Sequence, residues 1–374
     1  MSTLAALVTP PGVAAIAVVQ IVGPNSIDVL EKIFRPHQSD RLGDCTAERL
    51  IYGTVYENED VIDKVIVACD PEKQIVDINC HGGPRVVQRL LLLLRKHDVQ
   101  ITTWRQLHPA DSIADEVAQT LPCAKTTLVV RAIAAQHPGG LTAWCQAAIN
   151  TLANDSKSLL QLKGEIGRLL GTFRLAQRFL TPPTVVLVGP VNVGKSTLAN
   201  ALTGKTQSLV ADMPGVTRDW TSQLTEVGGL AINLIDTAGR RESSDQIEQQ
   251  ALARADDMIE RADLVILTVE ADGNVEAQVD ELSAELPAFT DIIIVVNKID
   301  LHPNLPDRDD FIYISALKET NLDHLRLAIC SHFGLAHYNP ADPLVFTDRQ
   351  YQIFLAAAAD SSQTVITHLK ELLG

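Results

Sequence analysis

Short apolar runs alternate with amphipathic stretches along residues 1–110. Residues 13–22 and 61–69 are rich in β-branched apolar side chains, which is typical of strands. Residues 75–79 predict a further short strand that ends at a CHGGP turn, and residues 86–95 then place their apolar side chains at helical spacing. This alternation predicts an α/β domain over residues 1–110.

Residues 111–181 have a different pattern, in which helical spacing dominates. Between residues 158 and 180 the apolar side chains recur at intervals of three, four and seven positions, which predicts one long amphipathic helix that ends at a TPP sequence. A second amphipathic helical segment occupies residues 347–373. If the two stretches pack together, they form one discontinuous helical domain, made of residues 111–181 and 338–374.

Four wholly apolar, β-branched runs lie between residues 182 and 337 and alternate with helical patterns. Strands that are buried on both faces have this composition, which is typical of a largely parallel sheet with helices on both sides. The four runs are residues 185–188, 231–235, 264–269 and 292–296. We therefore predict an α/β domain at residues 182–337, inserted between the two halves of the helical domain.

Composition and charge narrow the class of protein. Hydrophobic residues make up 46% of the chain and charged residues 21%, which fits a protein with a substantial core and excludes chain-wide disorder. The net charge of −15 lies in residues 181–374, where 13 basic residues accompany 28 acidic ones, so this half is a poor non-specific ligand of nucleic acid. The sequence has no long apolar stretch and no signal-peptide pattern, and its six scattered cysteines predict free thiols. These features together predict a cytoplasmic protein that does not enter a membrane.

Residues 189–196, GPVNVGKS, match the phosphate-binding pattern GxxxxGK[ST]. The motif follows an apolar strand and opens a helix, which is the context in which a glycine-rich backbone and the N–H groups of a helix start bind phosphates. Lys195 is expected to bridge the β- and γ-phosphates, and Ser196 to supply a hydroxyl to Mg²⁺. The other nucleotide contacts that we predict in this loop are Asn192, Val193, Gly194 and Thr197.

The NKID motif at residues 297–300 predicts that the base is guanine. The Asp300 carboxylate can accept hydrogen bonds from N1–H and from the 2-amino group of guanine. Adenine lacks both donors and would leave a buried carboxylate unpaired, so the pocket should reject ATP. The short strand at 311–314 is followed by a Ser-Ala pair that is expected to close over the guanine edge. The predicted guanine contacts beside Asp300 are Asn297, Lys298, Ser315 and Ala316.

Two motifs between the phosphate loop and the base motif supply ligands for the metal and the γ-phosphate. Asp236 of DTAG follows an apolar strand and is expected to support Mg²⁺ through water, and the Gly239 N–H to meet the γ-phosphate. Thr217 of PGVTRD is the candidate switch threonine, with its hydroxyl in the Mg²⁺ shell and its N–H on the γ-phosphate. The phosphate loop, DTAG, NKID and the Ser-Ala pair follow one another along the chain, each at the end of a predicted strand. This order predicts a P-loop domain that binds and hydrolyses GTP.

The motifs and their order resemble the tRNA-modification GTPases of the MnmE/TrmE type. The resemblance rests on the STLAALVTPPG start, CHGGP, GPVNVGKSTLANAL, PGVTRD, DTAGRRE and NKID, and it is strongest in the G domain. It implies a folate-binding-like N-terminal domain, a helical domain and an inserted G domain. It also implies dimerisation through the G domains around a potassium ion, and action on the wobble uridine of tRNA with an FAD-dependent partner.

The resemblance also assigns catalytic roles. The family lacks the usual glutamine after DTAG, and this chain has Arg240 there, where relatives commonly have an apolar residue. The position of the potassium-holding asparagine matches Asn192, and that of the water-orienting glutamate matches Glu248. Glu248, Lys195 and Thr217 form the predicted catalytic set. The structural alternatives are a turn residue for Asn192 and a solvated helix-start residue for Glu248.

Departures from the family pattern leave two hypotheses open. The sequence shows no CxGK motif, the stretch at 70–77 is shorter than the family's TGED-like segment, the PGEFTxRAFLNGKxDL-like segment is missing, and Gln20 and Val22 replace the usual Arg and Ser. The first hypothesis is a tRNA-modification GTPase with altered chemistry, which predicts that tRNA and a folate bind. The second is a paralogue that retains only the GTP switch and acts in regulation or assembly. A ribosome-assembly GTPase is less favoured, since no KH-like domain or basic tail follows the G domain.

Overall fold

The fold is that of a computed structural model, which describes residues 2–9, 12, 14–37, 50–154, 158–204, 221–236, 258–272, 274–302 and 308–374. The chain divides into two compact units, residues 1–110 and residues 111–374.

A seven-stranded sheet forms the first unit. Its strands are β1 (Leu4–Leu7), β2 (Ile16–Val22), β3 (Phe34–Pro36), β4 (Leu50–Glu57), β5 (Asp60–Asp70), β6 (Ile75–His81) and β7 (Gln100–Ile101). They are ordered β3-β4-β5-β6-β2-β1-β7. Neighbouring strands are antiparallel, except that β7 runs parallel to β1. The strands predicted at 61–69 and 75–79 are β5 and β6, and the strand predicted at 13–22 begins at Ile16.

Helices cover one face of this sheet. The helices of the unit are α1 (Ser26–Ile33), α2 (Pro84–Lys96) and the short α3 (Trp104–Leu107). Val19 and Ile78 alternate with half-exposed neighbours along their strands, and both are fully buried in the core that α1 and α2 share with the sheet. Because successive side chains of a strand point to opposite faces, Gln20 and Asp77 lie on the other face.

The second unit contains the remaining helices of the described residues. They are α4 (Ile113–Thr120), α5 (Thr127–Ala134), α6 (Gly140–Asn154), α7 (Leu159–Leu180), α8 (Lys195–Thr203), α9 (Val275–Ala284), α10 (Leu322–His332), α11 (Asp348–Ala359) and α12 (Ser362–Leu373). The long helix predicted at 158–180 is α7. The segment predicted as helical at 347–373 is divided into α11 and α12, because Asp360 has extended backbone and ends α11. Asp and Ser favour helix ends over helix interiors, which explains the break.

The two C-terminal helices pack against helices that precede the nucleotide motifs. Helix α11 contacts α7, and α12 contacts α6 and α4. A buried carboxylate, Glu116, joins the two chain segments: it accepts hydrogen bonds from the Thr347 hydroxyl and the Gln350 amide, and Arg349 lies 3.1 Å from it. The two helical stretches are therefore held together by specific polar contacts as well as by apolar packing.

A six-stranded sheet lies in the same unit. Its strands are β8 (Thr184–Val188), β9 (Thr221–Val227), β10 (Leu230–Asp236), β11 (Leu264–Glu270), β12 (Ile292–Asn297) and β13 (Phe311–Tyr313), in the order β13-β12-β11-β8-β10-β9. All neighbours are parallel except β9 and β10. Val185 and Leu187 of β8 face one apolar core, and Val186 and Val188 face the other. This confirms the predicted α/β fold with a largely parallel sheet.

One expectation about the cysteines is wrong. Cys69 is disulfide-bonded, whereas Cys80, Cys123, Cys145 and Cys330 are free thiols. Pairing depends on which cysteines the fold brings within bonding distance, and spacing along the sequence does not show this. Within the described part of the chain, every helix is too short or too polar to span a bilayer.

Candidate nucleotide-binding site

A pocket of about 290 Å³ opens beside the phosphate-loop motif. The loop connects β8 to α8, and the NKID motif begins at the end of β12. Because these strands are parallel, their carboxyl ends lie at one edge of the sheet. The residues lining the pocket are Asn192, Gly194, Thr197, Asn297, Lys298, Asp300, Leu301, Ser315 and Leu317. The structure thus brings together seven residues that the sequence motifs predicted.

Two glycines allow the phosphate loop to pass close to neighbouring backbone and side chains. Gly189 has φ +155°, and a Cβ at this position would lie 2.1 Å from the Thr268 carbonyl oxygen. Gly194 has φ +99°, and its Cβ would lie 2.5 Å from Asn297 Nδ2. A side chain at either position would clash, so the glycines of the motif are needed for the shape of the loop.

The Lys195 ammonium is held by the loop itself. The side chain is buried, and Nζ donates hydrogen bonds to the carbonyl oxygens of Gly189, at 2.9 Å, and Pro190, at 2.7 Å. Burial lowers the pKa of Lys195, and the charge of Asp236 acts in the opposite direction. Phosphate oxygens are stronger acceptors than these carbonyls because they are charged. The ammonium can therefore exchange its bonds to the carbonyls for bonds to the phosphates of a bound nucleotide.

The residues at the end of β10 and the start of α8 fit a magnesium ion. Asp236 Oδ1 is buried and meets no hydrogen-bond partner among the described residues. Ser196 is exposed at the second position of α8. No group of three or more His, Cys, Asp or Glu that could hold a metal occurs in the described ranges. This donor set suits Mg²⁺, which binds through one or two protein oxygens together with phosphates and water.

Asn297 joins the phosphate loop to the loop that carries Ser315. Its Nδ2 donates to the Val193 carbonyl at 2.8 Å, and its Oδ1 accepts from the Ala316 N–H at 2.9 Å. The side chain is almost completely buried. The side-chain amide of Asn297 therefore fixes the phosphate loop relative to the loop that carries Ser315. Val193 and Ala316 take part in this link through their backbone groups.

The Asp300 carboxylate is prepared to act as an acceptor. The Ser315 hydroxyl donates to Oδ1 at 2.7 Å, and Lys318 Nζ lies 3.6 Å from Oδ2. The hydrogen bond from Ser315, assisted by the charge of Lys318, lowers the pKa of Asp300. Asp300 is therefore ionised at neutral pH, as the recognition of a guanine edge requires.

Two leucines of the pocket were not anticipated from the sequence. Leu301 and Leu317 are 64% and 77% exposed, and both line the pocket. Lys298, with φ +69°, forms an ion pair with Glu270 at 2.8 Å and lines the same wall. Exposed apolar side chains beside a polar pocket suit the faces of a planar base. The sequence did contain a signal for these two leucines, because each directly follows a motif that is predicted to contact the base.

Three predicted residues, Thr217, Gly239 and Glu248, lie outside the described residues, as does Arg240. Their predicted roles on the γ-phosphate, the metal and the attacking water remain predictions.

Polar side chains also cluster on the face of the first unit's sheet that lies opposite α1 and α2. Gln20 Nε2 donates to Asp77 at 2.7 Å, and Gln20 Oε1 is hydrogen-bonded to the ring of His108. The turn between β5 and β6 comprises only residues 71–74. Gln20 is therefore engaged by protein partners, and the short turn does not supply the segment that the family resemblance associates with folate.

The fold and the pocket define a P-loop guanine-nucleotide-binding domain. Residues 184–298 match the family of 50S ribosome-binding GTPases. Residues 3–109 match the N-terminus of the GTP-binding protein TrmE. The two matches cover parts of both compact units.

Relatives extend the likeness over most of the chain. A tRNA modification GTPase MnmE from Bacillus pumilus is 26% identical over 98% of this chain and 90% of its own length. Another, from Bacillus licheniformis, is 29% identical over 89% of this chain and 83% of its own length. Over most of its length the chain is therefore similar to tRNA-modification GTPases of the MnmE/TrmE type. The G domain of the T. maritima FeoB iron transporter is a solved structure with 30% identity, covering 40% of this chain and 98% of that one, at a TM-score of 0.33.

Proposed function

We propose that the protein hydrolyses GTP to GDP and phosphate and acts in tRNA modification. The observation that carries the nucleotide assignment is one pocket lined both by an ionised Asp300 and by Asn192 and Gly194 of the phosphate loop, in which Lys195 directly follows Gly194. Asp300 supplies the acceptor that guanine requires, and Lys195 supplies the charge that phosphates require. The near full-length likeness to tRNA modification GTPases favours this reading over a paralogue that retains only the switch.

In this proposal, the chain contributes to hydrolysis mainly by positioning and charge. Lys195 leaves the carbonyls of the loop and binds the β- and γ-phosphates, while the Gly239 N–H meets the γ-phosphate. Ser196, Thr217 and, through water, Asp236 would hold Mg²⁺, which neutralises charge on the phosphates when bound. Glu248 orients the water that attacks the γ-phosphate.

Potassium and a second copy of the chain complete the proposed site. Asn192 lines the pocket with φ +66°, within the phosphate loop, and its side-chain oxygen suits a hard monovalent cation. A cation there would offset the charge that develops during phosphoryl transfer. We place it between two G domains that dimerise in the presence of GTP.

The wider role is proposed from the family. The G domain at residues 182–337 would be inserted in a helical domain made of residues 111–181 and 338–374, behind an N-terminal domain at residues 1–110. The partners would be tRNA and an FAD-dependent modification enzyme, in the cytoplasm. A folate is not included, because Gln20 is engaged with Asp77 and His108.

The test is the GTP hydrolysis rate in potassium and in sodium buffer, at several protein concentrations. We expect stimulation by potassium that increases with protein concentration, and loss of hydrolysis with retained GTP binding in Glu248→Ala. Glu226→Ala, on β9, is the control for removing a carboxylate. A slow hydrolysis rate that depends neither on the cation nor on the protein concentration would contradict the dimer mechanism. Weakened GTP binding in Glu248→Ala would show that Glu248 has a structural role.

Binding of tRNA separates the two readings of the wider role. Association with unmodified tRNA, measured by filter binding with GTP present, supports a modification enzyme. Nucleotide hydrolysis without tRNA binding would instead support the switch-only paralogue. Titration with a reduced folate should show no binding, and saturable binding would contradict the assignment of the Gln20 cluster.

A further inference from the structure

The hairpin formed by β9 and β10 extends from the Asp236 end of the candidate nucleotide site to a distant turn. Strand β9 begins four residues after Thr217, the candidate switch threonine, and β10 ends at Asp236. The strands are paired over their full length of seven residues, from Leu230 opposite Val227 to Asp236 opposite Thr221. At roughly 3.3 Å per residue, the turn at 228–229 lies about 20 Å from the metal-binding end.

This distant turn is docked on α5. The Thr126 hydroxyl donates a hydrogen bond to the Gly229 carbonyl oxygen at 2.6 Å. Gly229 has φ +93°, and a Cβ on it would lie 2.9 Å from the Cβ of Leu128. The backbone of the turn therefore rests directly on the first turn of α5, and glycine is the residue that permits this approach.

The other side of the turn is held by α10. A Cβ on Gly228 would lie 2.2 Å from Cys330 Sγ, and the Cys330 thiol lies 3.5 Å from the Val227 carbonyl. Val227 and Leu230 are buried in the same apolar core as Val129 of α5. The turn thus contacts both α5 and α10, although Gly228 itself is exposed, and a shift of Gly229 would act directly on Thr126 and Leu128.

Thr126 has two roles in the contact between the hairpin turn and α5. Its hydroxyl donates to Gly229, and it also accepts from the Val129 N–H at 3.3 Å as the N-cap of α5. A hydroxyl has one proton to donate, so the residue uses its donor on the hairpin and an acceptor on its own helix. A displacement of the turn by about 1 Å would stretch the first bond beyond hydrogen-bonding distance or pull on the helix cap.

We propose that Thr126 is a positioning residue that couples the nucleotide site to α5 through the β9–β10 hairpin. In the proposed function, Asp236 supports the metal at one end of the hairpin, and Thr126 holds the other end. The docking of α5 then differs between the GTP and GDP forms. Because coupling is reciprocal, weakening the contact between Thr126 and Gly229 changes the affinity for GTP relative to that for GDP. The inference rests on the proposed GTP binding.

The experiment uses the full chain with three substitutions. Thr126→Asp retains an N-cap acceptor but has no proton for the Gly229 carbonyl. Thr126→Ser retains both hydrogen bonds. Thr127→Asp places the same charge one residue further on, at an exposed position of α5. For each variant, fluorescent GDP and a non-hydrolysable GTP analogue give the ratio of the two dissociation constants, and thermal unfolding gives Tm.

We expect Thr126→Asp to change this ratio by about fivefold or more, the lower range of allosteric coupling, whereas Thr126→Ser and Thr127→Asp retain the wild-type ratio. A lower Tm with an unchanged ratio would overturn the proposal, since a merely structural contact affects both nucleotide forms equally. If Thr126→Asp does not fold, hydrogen exchange of amides 127–134 in the wild-type protein decides: equal exchange in both nucleotide forms overturns the coupling. Failure of the wild-type protein to bind either nucleotide would contradict the proposed function instead.

Discussion

The base end and the phosphate end of the pocket differ in how their polar groups are satisfied. At the base end, Asn297 bonds two loops together and Ser315 bonds Asp300, so the protein itself supplies the partners. At the phosphate end, Lys195 uses two carbonyl oxygens of its own loop, and Asp236 Oδ1 meets no partner among the described residues. The base end is built in advance, whereas the phosphate end is arranged for groups that a ligand brings.

This difference indicates that the two ends of the site have different tasks in the proposed function: the base end determines specificity, and the phosphate end responds to the nucleotide state. In the proposed function, a prebuilt base end discriminates guanine from adenine, because adenine has no donors for the acceptor positions of Asp300 that Ser315 leaves free. A phosphate end with exchangeable partners responds to the number of phosphates, because Lys195 must leave one set of acceptors for another. In the proposed function, the fixed end selects the base and the adaptable end binds the phosphates.

The largest expected effect is at the phosphate end. Lys195→Ala should lower the affinity for GDP and GTP by roughly hundredfold or more, since charge-assisted hydrogen bonds contribute about 1.5–3 kcal/mol each. Equilibrium titration with fluorescent nucleotides measures the loss. Lys125→Ala, which removes an exposed lysine, is the control. Retained affinity in Lys195→Ala would mean that the loop carbonyls are the final partners of this ammonium.

A smaller effect, with a change in specificity, is expected at the base end. Asp300→Asn should weaken guanine binding by roughly 10- to 100-fold and favour xanthine nucleotides, whose 2-oxo group can accept from the new amide. Competition between GDP and XDP measures the preference, with Asp309→Asn as a control at an exposed carboxylate. Unchanged guanine affinity would show that Asp300 does not contact the base.

The smallest effect is a pH dependence that sharpens the contrast between the ends. Burial lowers the pKa of Lys195 below its ordinary value of 10.5, and phosphates favour the charged form. Affinity should therefore be constant at lower pH and decline as pH rises through the pKa of the free protein, approaching roughly tenfold per pH unit. The decline should begin at lower pH than for an ordinary lysine.

Lys195→Arg isolates this pH effect. Arginine stays charged over the whole range, whereas deprotonation of guanine N1 affects both proteins equally. The difference between the two pH slopes thus reports Lys195 alone. Parallel slopes in the two proteins would contradict a titrating lysine at the phosphate end.

The motifs predicted much of the fold and of the pocket because each lies directly at a strand end. Apolar runs predicted the parallel strands, and the spacing GxxxxGK[ST] predicted the loop that follows β8. Sequence patterns did not reveal the disulfide of Cys69 or the break at Asp360. The disulfide depends on which segments the fold brings together, which spacing along the chain does not show. The break at Asp360 follows from the local preference of Asp and Ser for helix ends, which apolar periodicity alone does not show.

By itself, the sequence determined which chemical groups the site offers: glycines and Lys195, predicted to bind phosphates, and Asp300, predicted to bind guanine. Only the tertiary structure decided how those groups are held before a ligand arrives. The link from Asn297 to Val193 spans 104 residues, and that from Thr126 to Gly229 spans 103. Such contacts form because folding places distant backbone groups within hydrogen-bonding distance, and a residue's type alone does not specify its partner.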